Sequence, residues 1–168
     1  MSQLTHSLDS FLLVRDVTGD YRPANADEVL QAAQRVLAGQ MRNCEVLNSP
    51  QVVRDFLRVK LGALEHEVFS VLMLDAQNRL IEYVELFRGT VTQASVYPRE
   101  VVKESLARNA AALVLVHNHP SGVDEPSRAD EHLTQTLKAA LALVDVRVLD
   151  HLIVAGNDVL SFAERGLL

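Results

Sequence analysis

Two uninterrupted apolar runs constrain this chain more than any other feature: Val68-Phe-Ser-Val-Leu-Met-Leu74 and Ala111-Ala-Leu-Val-Leu-Val116. Both have strand length, and neither alternates apolar with polar. A strand that is apolar on both faces must be covered on both, so layers are needed above and below it. The flanking segments can supply those layers. Pro98 opens a helical stretch with Val101, Val102 and Leu106 near one side, and Ser127 stands as a cap before another that runs to about Leu143. Asp75-Ala-Gln-Asn78 reads as a turn that makes residues 68–88 a hairpin. Residues 146–154 form a further strand, Gly156-Asn157 a turn, and 159–168 a short strand or helix. This order of elements predicts an α/β fold with a mixed β-sheet flanked by helices.

The region ahead of the first run reads differently. Residues 11–22 suggest two short strands about Thr18-Gly19. Asn25-Ala-Asp-Glu28 has the form of a capping box, opening a helix to about Gly39. Turn formers over 40–48 mark a boundary. The expected organisation is therefore an N-terminal appendage over 1–45 (short hairpin plus helix) and a main domain over 46–168. Within that domain Ser49-Pro50 starts a helix that buries Val53, Phe56 and Leu57 and stops at Gly62.

Charge and cysteine content narrow the function classes. With 16 basic and 22 acidic residues the chain carries −6, against the net basic surface of a non-specific nucleic-acid coat. A local basic patch stays compatible with that sum. The single cysteine, Cys44, leaves no internal disulfide framework, Cys-rich zinc site or Fe–S ligation. It points to a reducing cytoplasm, with an inert thiol. No run approaches the roughly 18 apolar residues of a membrane span. The N-terminus lacks the basic region of a signal peptide.

The second run empties into His117-Asn-His119-Pro-Ser-Gly-Val-Asp-Glu-Pro-Ser127-Arg-Ala-Asp130. Histidines at i and i+2 leave a strand on the same side. Two neutral imidazoles there suit a borderline metal such as zinc, and Asp130, in the first turn of the next helix, can add a third ligand. Three N/O ligands leave a position open, as in a catalytic zinc site. Structural readings stand beside these. An H-x-H pair arises by chance, and Ser127 with an acid at N3 is also what a helix start needs.

The combination H-x-H-P-x6-S-x-x-D resembles the signature of JAMM (MPN, JAB-domain) metalloproteins. His117-Asn-His-Pro-Ser-Gly122, with Tyr97-Pro-Arg-Glu-Val101 and Asp150-His-Leu-Ile153, is similar to the RadC branch of that family, from about Val52 to Leu168. The resemblance implies an MPN/JAMM fold, cytidine-deaminase-like in arrangement, and Zn2+ held by His117, His119 and Asp130. It further implies Ser127 as an oxyanion stabiliser and a catalytic glutamate at the start of the first core strand. Glu67 abuts Val68 and fits that place better than Glu65. The activity implied is a zinc metallopeptidase that cleaves a peptide, isopeptide or related amide bond, with Glu67 as base toward a zinc-activated water. The alternative is a DNA-associated accessory module, linked to DNA repair or mobile elements, whose metal site is structural or vestigial. Residues 1–62 lack the G-x-G hairpin of the helix-hairpin-helix region that fronts RadC-type proteins, which with the charge of −6 weakens that alternative. The expected partner is a peptide or protein substrate, and the oligomeric state is open.

Other chemistries fail on counts. A zinc nucleobase deaminase needs P-C-x-x-C, and a TIM-barrel amidohydrolase needs about 250 residues. His66 and His132 read as surface residues, and His151 as a core or edge histidine, with contact to the site as the other reading. Asn118, Ser121 and Gly122 read as shaping the loop between ligands, and Arg88, Arg99 and Arg128 as solvated.

Overall fold

The computed structural model describes residues 12–42, 50–89 and 95–168. The first described elements form a small hairpin, β1 (Leu13–Arg15) and β2 (Tyr21–Pro23), as the Thr18-Gly19 turn suggested. The capping box then forms in full. Asn25 Oδ1 accepts from Glu28 N at 2.9 Å, and Glu28 Oε2 accepts from Asn25 N at 2.9 Å. Helix α1 (Ala26–Arg42) runs past the stop expected at Gly39. Met41, fully buried in the main core, favours continuing the helix by more than a mid-helix glycine costs, about 1 kcal/mol. Cys44 and the Ser49 cap lie outside the described residues.

Helix α2 (Pro50–Leu61) buries Val53, Phe56, Leu57 and Leu61. Gly62 ends it for a steric reason. A Cβ there would collide with the carbonyl oxygen of Gly156 and lie 2.7 Å from that of Arg58, because the helix end sits against the 156–157 turn.

Next come β3 (Val68–Leu74), β4 (Leu80–Arg88), α3 (Pro98–Ala107), β5 (Ala112–Asn118), α4 (Arg128–Ala142), β6 (Arg147–Ala155), β7 (Asp158–Ser161) and α5 (Phe162–Arg165). The strands form one mixed sheet in the order β4-β3-β5-β6-β7, parallel only between β5 and β6. The expected α/β class is therefore what forms, and the tail that read as strand or helix holds one of each.

The apolar runs are continuous because each face of β3 and β5 meets a different layer. Val68, Leu72, Leu74, Val114 and Val116 join the α2 residues and Met41 in one cluster. Phe69, Val71, Met73, Leu113 and Leu115 join Val101 of α3 and Leu137 and Leu141 of α4 in the other. By alternation His117 follows Leu113 and Leu115 onto the α3/α4 face. The crossover from β5 through α4 to the parallel β6 sets the start of α4 beside the carboxyl end of β5, where ligands of such sheets commonly bind.

Candidate metal centre

Asp130, Thr134, Leu137 and Leu141 follow one another at helical spacing on α4. The last three are buried, and Asp130 retains only 14% of its side-chain exposure. The stripe is apolar where it packs on the sheet and polar where it overhangs the end of β5. There Asp130 meets the two histidines of the H-x-H pair. The ligating atoms of His117, His119 and Asp130 lie within 4.8 Å of one another. His117 Nε2 is 2.9 Å from His119 Nε2, and Asp130 Oδ1 is 3.3 Å from His117 Nε2.

The chemistry of this donor set fits a metal cation. His119 Nδ1 lies 2.6 Å from the carbonyl oxygen of Val123, which can only accept, so Nδ1 carries the hydrogen. Gly122, at φ 77°, turns the chain so that this carbonyl faces back toward the ring. His119 Nε2 is then a bare lone pair aimed at His117 Nε2. Two ring nitrogens and a carboxylate at such separation need a cation or a proton between them. A carbonyl behind a ligating imidazole is the usual outer support of a zinc-bound histidine.

Electrostatics agree. Burial acts to raise the Asp130 pKa, yet hydrogen bonding with His117, His119 and Ser127 holds the carboxyl far below the usual carboxylate range. The Asp130 hydrogen bond, against desolvation, raises His119 above an ordinary imidazole, and Glu67 adds to this through its charge. The site thus attracts positive charge. His151 behaves oppositely, since burial pushes it well below the ordinary imidazole value.

Ser127 and Asp130 do form a capping box. Asp130 Oδ2 accepts from Ser127 Oγ at 2.6 Å and from Ser127 N at 2.7 Å, and Asp130 N donates back to Ser127 Oγ at 3.2 Å. Oδ1 lies 3.3 Å from His117 Nε2, and Oδ2, the capping oxygen, lies 3.6 Å from His119 Nε2. The structural and ligand readings of this pair therefore coexist on one carboxylate.

Glu67, half-buried before β3, lines the same cavity of about 500 Å³ as His117, His119, Ser127 and Asp130. Glu65 is exposed and does not line it. Asn118 does more than shape a loop. It is buried, and its Oδ1 accepts from Val68 N at 2.8 Å while its Nδ2 donates to His66 O at 3.0 Å. These peptide groups flank Glu67 on either side, so the residue between the two histidines clamps the glutamate's backbone. His66 is half-buried rather than exposed. His132, Arg88, Arg99 and Arg128 are exposed as expected.

Two residues stand behind the centre: His151, expected in the core or at an edge with a reach to the site as the other reading, and Thr134, which the sequence did not single out. His151 is fully buried, with Nε2 2.8 Å from His117 Nδ1, and Thr134 Oγ1 lies 2.6 Å from His151 Nδ1. The signal for Thr134 was its place one turn after Asp130 on the sheet-facing stripe.

Comparison with known proteins gives the family. The profile of the RadC-like JAB domain matches residues 47–167. The chain belongs to the RadC-like JAB domain family. It is 63% identical over 150 residues to a UPF0758 protein of Leptothrix cholodnii, covering 89% of this chain and 68% of that protein. A UPF0758 protein of Methylibium petroleiphilum gives the same figures, 63% over 150 residues with 89% and 68% covered. One of Aromatoleum aromaticum is 64% identical over 146 residues, covering 86% of this chain and 65% of the relative. These names carry no activity. Among the described residues, no helix is long and apolar enough to cross a membrane.

Proposed function

We propose that this RadC-like JAB domain is a zinc-dependent hydrolase of peptide, isopeptide or related amide bonds, in which His117, His119 and Asp130 hold the metal. The observation that carries the reading is the convergence of three ligand atoms within 4.8 Å in a cavity that Glu67 and Ser127 also line. A zinc ion there would polarise a carbonyl and lower the pKa of a water toward about 7.

The protein's own groups supply the rest. The Glu67 carboxylate takes a proton from the attacking water and returns it to the departing amine, so one side chain serves both steps. Asn118 holds the backbone on both sides of Glu67, which limits the wandering of that base. The Ser127 hydroxyl hydrogen rests on Asp130 Oδ2. It serves an oxyanion by turning away from that oxygen, while the Ser127 backbone N–H keeps Oδ2 satisfied.

The cavity lining favours an amide over nucleic acid as the substrate. Glu67, Glu125 and Asp130 line it, and among the described residues no lysine or arginine does. Even a divalent ion leaves −3 + 2 = −1 there, a poor reception for a phosphate. The DNA-associated alternative gains nothing from this surface.

The test combines metal analysis of chelator-free protein with a peptide-library assay. The wild type is expected to hold zinc and His117→Ala to lose it. Glu67→Gln is expected to keep zinc while turnover falls by about 10²–10⁴-fold. Absence of bound metal, with the same content in His117→Ala, overturns the reading, as does undiminished turnover in Glu67→Gln.

A further inference from the structure

His151 on β6 belongs to no part of the H-x-H-P-x6-S-x-x-D pattern, yet it is fully buried and packs against three rings. Its ring centroid lies 4.9 Å from that of His117, 4.7 Å from Phe162 and 6.0 Å from Phe69. The parallel register pairs His151 with Leu115, two residues before His117 on the same face of the neighbouring strand. A histidine in such a place either satisfies both ring nitrogens or destabilises the fold.

Both are satisfied, and counting hydrogens fixes the direction of each bond. Thr134 Oγ1 has a single hydrogen and donates it to the Asp130 carbonyl oxygen at 2.6 Å. Toward His151 Nδ1, 2.6 Å away, the same oxygen can therefore only accept, so Nδ1 carries the hydrogen. His151 is fully buried against Phe69 and Phe162, and among the described residues its ring pairs with no carboxylate, so it holds a single hydrogen and its Nε2 is bare. That nitrogen, 2.8 Å from His117 Nδ1, accepts, so His117 is protonated at Nδ1. The His117 Nε2 lone pair is then free and faces His119 Nε2 and Asp130.

We propose that Thr134 and His151 form a buried relay that locks His117 in the Nδ1–H tautomer and so presents its Nε2 to the metal. Both are positioning residues and neither is a ligand. The relay starts at the backbone of Asp130 and ends on His117, so the same turn of α4 that brings the carboxylate also sets the histidine's tautomer. His119 obtains the same result from the Val123 carbonyl. The metal part of this inference rests on the metal-centre reading above, whereas the tautomer of His151 does not.

The experiment has two arms. Ring-nitrogen NMR of the uniformly ¹⁵N-labelled chain, without metal, is expected to show His151 neutral with its hydrogen on Nδ1. Chelator competition with zinc alone, on wild type, Thr134→Val and Thr134→Ser, forms the second arm. The valine variant keeps the shape and loses the hydroxyl, and its zinc affinity is expected to fall about 10–100-fold. The serine variant restores the hydroxyl and is expected to recover most of that loss. A hydrogen on His151 Nε2 overturns the proposal, as does unchanged zinc affinity in Thr134→Val. A wild type that binds no zinc, with His151 in the Nδ1–H form, would overturn the metal-centre reading and leave the relay standing. The first arm uses no variant, so it decides the relay even where Thr134→Val does not fold.

Discussion

Asn118→Ala offers the most direct check on how Glu67 is held. The side chain of Asn118 has 1% exposure and makes two backbone hydrogen bonds, accepting from Val68 N at 2.8 Å and donating to His66 O at 3.0 Å. Truncation strands both groups. A buried backbone group left unpaired costs about 1–3 kcal/mol. Val68 has 2% exposure, so its N–H bears that cost in full, while the carbonyl of half-buried His66 recovers some water. The expected loss is about 2–4 kcal/mol, read by urea denaturation. Asn118→Asp separates the two bonds. It keeps an acceptor for Val68 N–H but sets an anionic oxygen against His66 O. The aspartate's folded pKa should rise above its unfolded value. Its stability is then highest below the unfolded pKa and falls as pH rises through the folded one, a slope that adds to the one the wild type has from Asp150, which burial raises. Zinc content should stay unchanged in Asn118→Ala while turnover drops, because the freed segment carries Glu67 and no ligand. A stability loss below about 0.5 kcal/mol, the ordinary range of surface substitutions, would refute the clamp.

Three further perturbations probe the frame around the site. Gly62→Ala sets a methyl group against the Gly156 and Arg58 carbonyls and should cost about 1–3 kcal/mol, seen as a lower thermal midpoint. Met41→Ala should cost about 2–5 kcal/mol in chemical denaturation; a loss under 1 kcal/mol would mean that α1 does not share the core. Glu28→Gln should lower stability slightly near neutrality, since the Arg22 hydrogen bond first and the Asn25 backbone second hold the Glu28 carboxyl down at about 2. That folded value lies below the unfolded one, so the deficit should be constant above about pH 4.5 and vanish as pH falls toward 2.

What was legible in the sequence follows from how local each signal is. Strands β3 and β5 could be read because burial on both faces leaves an unbroken apolar run. The candidate ligand cluster could be read because a strand end, one loop and one helix start hold all three residues within 14 positions, His117 to Asp130. The His151–Thr134 relay was beyond reach, because it depends on the β5–β6 register and on the stagger of α4 over the sheet. Neither leaves a trace in residue spacing. Asn118 misled for a related reason. Its neighbours His117 and His119 suggest a loop role, whereas its partners lie about 50 residues earlier, across the β3–β5 pairing. Gly39 misled because propensity is a weak prior, and a buried Met41 two residues later outweighs it.

The Ser127–Asp130 pair shows why local reading left two alternatives open. A cap needs an oxygen for the first free N–H groups of a helix, and a metal needs an oxygen facing its other ligands. An aspartate at N3 can serve both, and its capping oxygen Oδ2 also lies 3.6 Å from His119 Nε2. Oδ2 takes the Ser127 N–H and hydroxyl, which fixes the carboxylate plane, and Oδ1 is thereby turned to within 3.3 Å of His117 Nε2. In the proposed centre the cap would act as the outer support of Asp130, as the Val123 carbonyl would for His119. On this account Ser127→Ala weakens metal binding and helix stability together, because one hydroxyl accepts from Asp130 N and donates to Asp130 Oδ2. Glycine at 127 leaves the same carboxylate less fixed still. Capping substitutions that cost only about 0.5–2 kcal/mol of stability should therefore lower zinc affinity in proportion, without touching a ligand.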